Sequence, residues 1–284
     1  MKISILIPTF NNLFYLKFFL NSLKKNSLFE HEIVIHVNDG SDGTLDFVKK
    51  SNFKFTHSKE NIGLCSSMNN AYKLSTSDFL LYAHDDMYFC KNWDKYLIDE
   101  INKQKNNFYY LSGTNVSTRF GLINYNCGDT LENFDENKFL KFCIDDNTPD
   151  LQSAHWAPHL IHRELWDKIG GFSEEFNPGD GSDPDFCMKL WLENVRIFKG
   201  ISKFKVYHFN SLTTRNNKVS LNNGTKIFLL KYGFNPKFFR KYYLKGNNSI
   251  IPYRGILDEP KNNFFMFIEL IVNKLKYLFY KFKF

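Results

Sequence analysis

The sequence predicts an α/β protein with a doubly wound, mainly parallel sheet and flanking helices, followed by a basic helical extension at its C-terminus. Three observations carry this expectation. Residues 1–115 alternate short apolar runs with helical patterns, the signature of strand-helix-strand units. The polar stretches rich in Asn, Asp and Gly fall directly after the apolar runs, where open sheets of this kind bind ligands. Charge also divides along the chain, whose formal net charge is +7: residues 201–284 hold 16 Lys and Arg against 3 Asp and Glu, leaving 21 against 27 in residues 1–200. An acidic catalytic part and a basic docking part are expected from that split.

Ile3–Ile7, Ile33–Val37, Phe53–Thr56 and Phe79–Ala83 read as strands. The first is too short, and too soon broken by Pro8, to be a secretory signal or a membrane span. Leu13, Leu16, Phe19, Leu20 and Leu23 recur at helical spacing after Asn11-Asn12, and Gly63–Leu74 and Trp93–Lys103 are further candidate helices. Residues 117–150 have weak periodicity and read as an excursion over the site. Order resumes at Ser153–His162, with a helix through Glu164–Ile169, a break at Gly170-Gly171, and a polar loop ending in Gly179-Asp180-Gly181-Ser182-Asp183-Pro184-Asp185. A helix over Asp185–Asn194 and two strands, Val195–Phe198 and Lys203–Tyr207, lead to His208.

At 284 residues and 43% hydrophobic content the chain can bury a sizeable core, which excludes disordered and fibrous classes. Five widely spaced cysteines without a CxxC pair suggest neither a disulfide framework nor a cysteine zinc site, and fit a reducing, cytoplasmic setting. The 31 phenylalanines are read as compositional bias. Nucleic acid is not an expected partner.

Five segments could carry chemistry. Asn38-Asp39-Gly40-Ser41-Asp42-Gly43-Thr44 taken alone reads first as an ordinary strand-to-helix turn, and otherwise as a tight loop able to aim Asp39 at a base or ribose hydroxyl. His84-Asp85-Asp86 sets two carboxylates and an imidazole at a strand's end, where repulsion is costly unless a cation neutralises it. Its oxygens and imidazole suit Mg²⁺ or Mn²⁺, which could bridge diphosphate oxygens; a solvated acidic turn is the alternative. In Ser182-Asp183-Pro184-Asp185, Pro184 suits the first helical position and makes Asp183 or Ser182 the N-cap. A carboxylate there is either a mere cap or a general base kept ionised, and lowered in basicity, by the helix's positive end. His208, with Asn210 and Ser211 after it, could add a metal ligand. His155, His159 and His162 have helical zinc-site spacing that Pro158 disrupts, so Trp156 and His159 read as walls of an acceptor pocket, or as core.

Taken together, residues 1 to about 211 resemble glycosyltransferase family 2, whose members have the GT-A fold. Ile3–Thr9 looks like the opening strand, Val37–Thr44 like the aspartate-glycine-serine loop, and Asn61-Ile62-Gly63 with Asn69 like the asparagine-glycine helix. His84-Asp85-Asp86 stands where the family has aspartate-any-aspartate, and Gly170-Gly171-Phe172 through Phe186 looks like the segment ending in its glutamate-aspartate pair. The resemblance implies an inverting transferase. Thr9 and Asp39 would contact a nucleotide-sugar donor, UDP-linked by expectation, with Asn61, Gly63, His84 and Asp85 on the donor side. Asp86 and His208 would hold Mn²⁺ or Mg²⁺, Asp183 would be the base, and Trp156, His159 and Asp185 would face the acceptor. His84 and Ser182 depart from the family pattern and put donor details in doubt.

The expected division is a transferase domain over 1–211, with 1–115 the nucleotide-sugar half and 116–211 the acceptor and catalytic half, and the extension over 212–284. In the extension, Phe264–Phe284 is apolar with Lys274, Lys276, Lys281 and Lys283. As a helix it places Glu269, Asn273, Lys276 and Lys283 on one face and could lie on an anionic membrane, or pack on the domain or another subunit. A glycan or lipid-linked acceptor at the inner face of a bacterial membrane, in surface polysaccharide or lipopolysaccharide synthesis, would suit it. A sugar nucleotidyltransferase would show a glycine-rich, basic loop where this chain has Pro8-Thr9-Phe10-Asn11-Asn12, and a NAD enzyme a GxGxxG. A degenerate carbohydrate-binding protein of the same fold is the remaining alternative.

Overall fold

The strand β1 (Ile3–Phe10) buries Ile3, Ile5, Leu6 and Ile7 alike. Continuous burial of neighbouring positions marks a strand covered on both faces, as parallel sheets require. The computed structural model describes residues 1–119, 121–209, 222–246 and 250–282. Asn210, Ser211, Lys283 and the expected boundary at 211 lie outside them.

From β1 the chain forms α1 (Leu13–Asn26), β2 (Glu32–Asn38), α2 (Thr44–Lys49), β3 (Lys54–Ser58), α3 (Leu64–Tyr72) and β4 (Phe79–Tyr82). Leu16, Phe19, Leu20 and Leu23 of α1 are buried, as their spacing requires. Next come β5 (Met87–Phe89), α4 (Trp93–Ile101), β6 (Tyr109–Ser117), β7 (Ile123–Asn124), α5 (Glu136–Asp145), β8 (Leu151–Gln152) and β9 (His159–His162). Then follow α6 (Arg163–Ile169), α7 (Ser182–Leu192), β10 (Ile197–His208), α8 (Gly224–Tyr232), α9 (Pro236–Tyr242) and α10 (Phe264–Phe282). One sheet runs in the order β3-β2-β1-β4-β9-β6-β10-β5. It is parallel from β3 to β4 and between β6 and β10, with β9 antiparallel to both its neighbours.

Three elements differ from the sequence-based expectation. The two short strands after Asn194 are one strand, β10, whose register along β6 is interrupted between Ile201 and Lys205. The 117–150 segment is not loose: α5 packs on β10 through fully buried Phe139, a ring whose burial is worth about 1.5–3 kcal/mol. The Tyr207 hydroxyl donates to the Gly128 carbonyl at 2.6 Å. That segment joins the core by long-range aromatic contacts, Phe134 and Phe139 against Tyr207, so its local periodicity is weak. The third difference is that α7 begins three residues early, at Ser182 with Gly181 as its N-cap.

The extension packs on the site-bearing half, with α9 against α7 and α8 against α10. No helix among the described residues is long and apolar enough to cross a membrane.

Candidate functional site

The carboxyl ends of β1 and β4 meet through one hydrogen bond, in which Thr9 Oγ1 donates to Asp85 Oδ2 at 2.6 Å. Asp85 is buried, and burial together with the neighbouring Asp86 charge pushes its carboxyl above the ordinary carboxylate range. On the next loop Asp39 takes a left-handed φ of 55°, which short polar side chains tolerate. Asn11 Nδ2 donates to Asp39 Oδ2 at 2.8 Å, and this bond holds the Asp39 carboxyl below its usual value. Asn38, at the end of β2, binds these loops together: its amide donates to Ser67 Oγ at 2.9 Å and its oxygen accepts from the Ile62 N–H at 2.9 Å.

His208 reaches the acidic cluster through sheet register, because antiparallel pairing sets it opposite Met87, the residue after Asp86. His84, Asp86 and His208 each offer a ligand atom, and these atoms lie within 4.8 Å of one another. The structure thus sets His84, expected on the donor side, beside Asp86 and His208 in a group that could hold a metal. Tyr82 OH lies 2.8 Å from His84 Nε2, which leaves Nδ1 on the Asp86 side, 4.0 Å from Oδ1. Asp86 Oδ1 and His208 Nε2 are 3.1 Å apart but not aligned for a hydrogen bond, so two buried polar atoms remain without a partner. Buried groups left in this way are costly, and a cation between them would relieve both. The residues therefore fit a divalent metal. Burial would raise the Asp86 carboxyl, but the His208 and His84 imidazoles outweigh it and leave Asp86 depressed. Burial, then the nearby His208, lowers His84 to about 4, so it stays neutral and able to ligate.

Asp183 sits in the first turn of α7. Gly181, at φ 83°, makes the turn possible, and a Cβ there would come within 2.9 Å of Gly224 at the start of α8. The same loop is tied to the extension by Asp180, whose carboxylate accepts from the Gly224 N–H at 2.9 Å. Asp183 Oδ1 is buried without a hydrogen-bond partner, and burial raises the carboxyl to about 7, against a lowering by His208. The expectation of a carboxylate made weakly basic by the helix end is thus reversed, since desolvation outweighs the helix field here. Tyr82 and His208 both lie within electrostatic reach of Asp183, so this carboxylate stands near the acidic cluster.

A cavity of about 440 Å³ opens beside Asp183, walled by Trp156, Pro184, Lys237, Phe239 and Arg240. Trp156 is held by its Nε1, which donates to the Gly113 carbonyl at 2.8 Å. Two residues expected beside it do not line it. His159 is 1% exposed, surrounded by Tyr82, Tyr110, Phe172 and Phe186, and burial lowers it to about 3. It is a neutral core imidazole. Asp185 is turned to α8, accepting from Tyr232 OH at 2.7 Å and pairing with Lys231 at 2.9 Å. On the donor side, Asn61 Oδ1 accepts from the Gly63 N–H at 3.0 Å, and Gly63, at φ 84°, abuts Asn177 so closely that a Cβ would lie 2.5 Å from its amide oxygen. Both shape the entry to α3.

Tyr82, Asn38, Lys237 and Arg240 were not singled out from sequence. Asn38 had a signal, a polar residue ending a buried strand. The two cations had none, because nothing local indicates that the extension folds back over the base loop.

This architecture is the GT-A fold. It is shared with S. aureus TarS residues 1–349 in complex with UDP-GlcNAc, at 22% identity and a TM-score of 0.55 over 74% of this chain and 61% of that one. It is shared also with GalNAc-T7 with UDP, GalNAc and Mn²⁺, at 15% identity and 0.56 over 84% and 46%, and with the mannosyltransferase PcManGT from Pyrobaculum calidifontis in complex with GDP-Man and Mn²⁺, at 12% and 0.53 over 81% and 60%. The chain thus spans 59% to 61% of the length of the TarS 1–349 structures. The family described as Glycosyl transferase family 2 matches residues 4–169, more than half of the chain, which therefore belongs to it. No curated protein matches in sequence.

Proposed function

We propose that this chain is an inverting glycosyltransferase that moves a sugar from a nucleotide diphosphate sugar, UDP-linked by expectation, to a hydroxyl of a glycan or lipid-linked acceptor. The observation that carries the reading is the nearness of a metal-competent triad to Asp183, whose Oδ1 has no hydrogen-bond partner and whose raised carboxyl lies within electrostatic reach of His208. Family membership and the nucleotide-bound neighbours support the donor class.

In this reading Asp39 and the Thr9–Asp85 pair border the nucleotide, and Asp86, His208 and His84 hold the cation. A bound divalent ion would neutralise the diphosphate leaving group as a Lewis acid. Two imidazoles and one carboxylate favour Mn²⁺ over Mg²⁺, which prefers an oxygen shell. Asp183 takes the proton from the acceptor hydroxyl as it attacks the anomeric carbon on the face opposite the leaving group, which inverts the centre without a covalent intermediate. Trp156 offers an aromatic face to the acceptor sugar, and Lys237 and Arg240 suit an anionic group on it, such as the phosphate of a lipid carrier. That acceptor fits bacterial surface polysaccharide or lipopolysaccharide synthesis. With His84 among the metal ligands, its departure from the family pattern gives little support to a degenerate binding protein.

A panel of nucleotide sugars with Mn²⁺ tests this reading. Binding and slow hydrolysis of one donor are expected, with transfer once an acceptor is supplied. Failure to bind or hydrolyse any donor would overturn it.

A further inference from the structure

The helix α10 turns more apolar surface outward than inward. Its packed face holds Met266, 5% exposed, with the polar Asn273, 3% exposed and accepting from the Asn235 N–H at 3.0 Å, and Glu269 paired with Lys241 of α9. Phe264, Phe267, Ile268, Ile271, Leu275 and Leu278 face away, from 36% to 71% exposed. The sequence-based expectation had put Glu269 and Asn273 on the face turned from the apolar one, and the structure spends that face on packing. At 3.6 residues per turn the six apolar residues share one arc, bordered by Lys274 and Lys281 on one side and by Lys276 on the other. A contiguous apolar surface of this kind marks a contact site.

We infer that α10 is an in-plane membrane anchor that inserts this arc into the headgroup boundary of an anionic bilayer, with the bordering lysines on the lipid phosphates. Charge selects this occupant. A second copy docking through the same arc would bring lysines against lysines, whereas an anionic headgroup layer neutralises them. The helix lies along the surface, since no described helix can span a bilayer. Its position also serves the proposed reaction. Thr225 lines both the groove beneath α10 and the cavity holding Asp183, so a docked bilayer would adjoin the acceptor side. That last consequence rests on the proposed transferase reading, while the anchor itself does not.

The test uses the full chain without donor, floated with vesicles of phosphatidylcholine alone or of phosphatidylcholine and phosphatidylglycerol in equal parts. Binding to the anionic vesicles, weakened by salt, is expected. The double variant Phe267→Glu, Ile271→Glu should abolish it at an unchanged thermal midpoint, because both side chains face away from the protein. Each of Lys274→Gln, Lys276→Gln and Lys281→Gln should weaken binding roughly fivefold. Absence of binding to either vesicle, or full binding by the double variant, would overturn the inference. So would a dimer that the double variant disperses in a chain that ignores vesicles. None of these outcomes bears on nucleotide-sugar transfer, which the donor panel tests separately.

Discussion

Asp86 and Asp183 are the same residue type, both within reach of His208, and their surroundings drive them in opposite directions. Asp86 lies against two imidazoles and is held below the usual carboxylate range, while Asp183 Oδ1 has no hydrogen-bond partner and the carboxyl rises to about 7. Burial acts on both. The difference is the neighbour, and it leaves one carboxylate suited to a cation and the other able to take up a proton near neutrality.

The largest expected effect breaks the basic end. Asp183→Asn should lower transfer by about 10³-fold, within the usual range for losing a general base, while donor affinity measured by calorimetry stays within about twofold. Loss of donor binding instead would refute the assignment. The same variant tests burial. Because the folded value of about 7 exceeds the ordinary 3.8, the native state keeps a proton that the unfolded chain has released between those values, and stability falls as pH rises through that window. Asn removes this loss, so its thermal midpoint should exceed the wild-type value above about pH 7.

At the ligand end, Asp86→Asn or His208→Ala should cost about 10²-fold in Mn²⁺-supported transfer, a few kcal/mol of lost charge stabilisation. Chelation should abolish activity, and Mn²⁺ should restore it more fully than Mg²⁺. Titration gives a finer view of the same contrast. With Asp183 required ionised, kcat/KM should fall about tenfold per pH unit below about 7 and level off above it. A profile flat down to pH 5 would place the base elsewhere. The smallest effect on transfer is expected from Asp185→Asn, which removes one partner of Lys231 while Glu175 still holds it, and should cost about 1–3 kcal/mol of stability with kcat little changed. A raised acceptor KM at normal stability would return Asp185 to the acceptor site.

Legibility followed the range of the interactions involved. The strands β1 to β4 and the loops after them could be read locally, since apolar runs and polar, glycine-rich turns are neighbours in sequence. His208 could be named a possible ligand from its strand-end position, but its place beside Asp86 depends on β10 pairing with β5 across more than a hundred residues. Asp185 and His159 show the converse. Polar residues near a motif look available, and only the fold shows that Asp185 Oδ1 is held by Lys231 and Tyr232 and that His159 takes its core alternative, enclosed by aromatic rings.

By itself the sequence determined an α/β sheet with its acidic cluster at a strand end, a proline-bearing turn that starts a helix with Asp183, and a basic tail, because these follow from local periodicity, turn chemistry and charge. Tertiary structure decided that His84 stands beside Asp86 and His208, that burial raises the Asp183 carboxyl, and that α10 turns its apolar arc outward. Each of these depends on which distant groups share a site or exclude water from it, and residue order alone does not specify that.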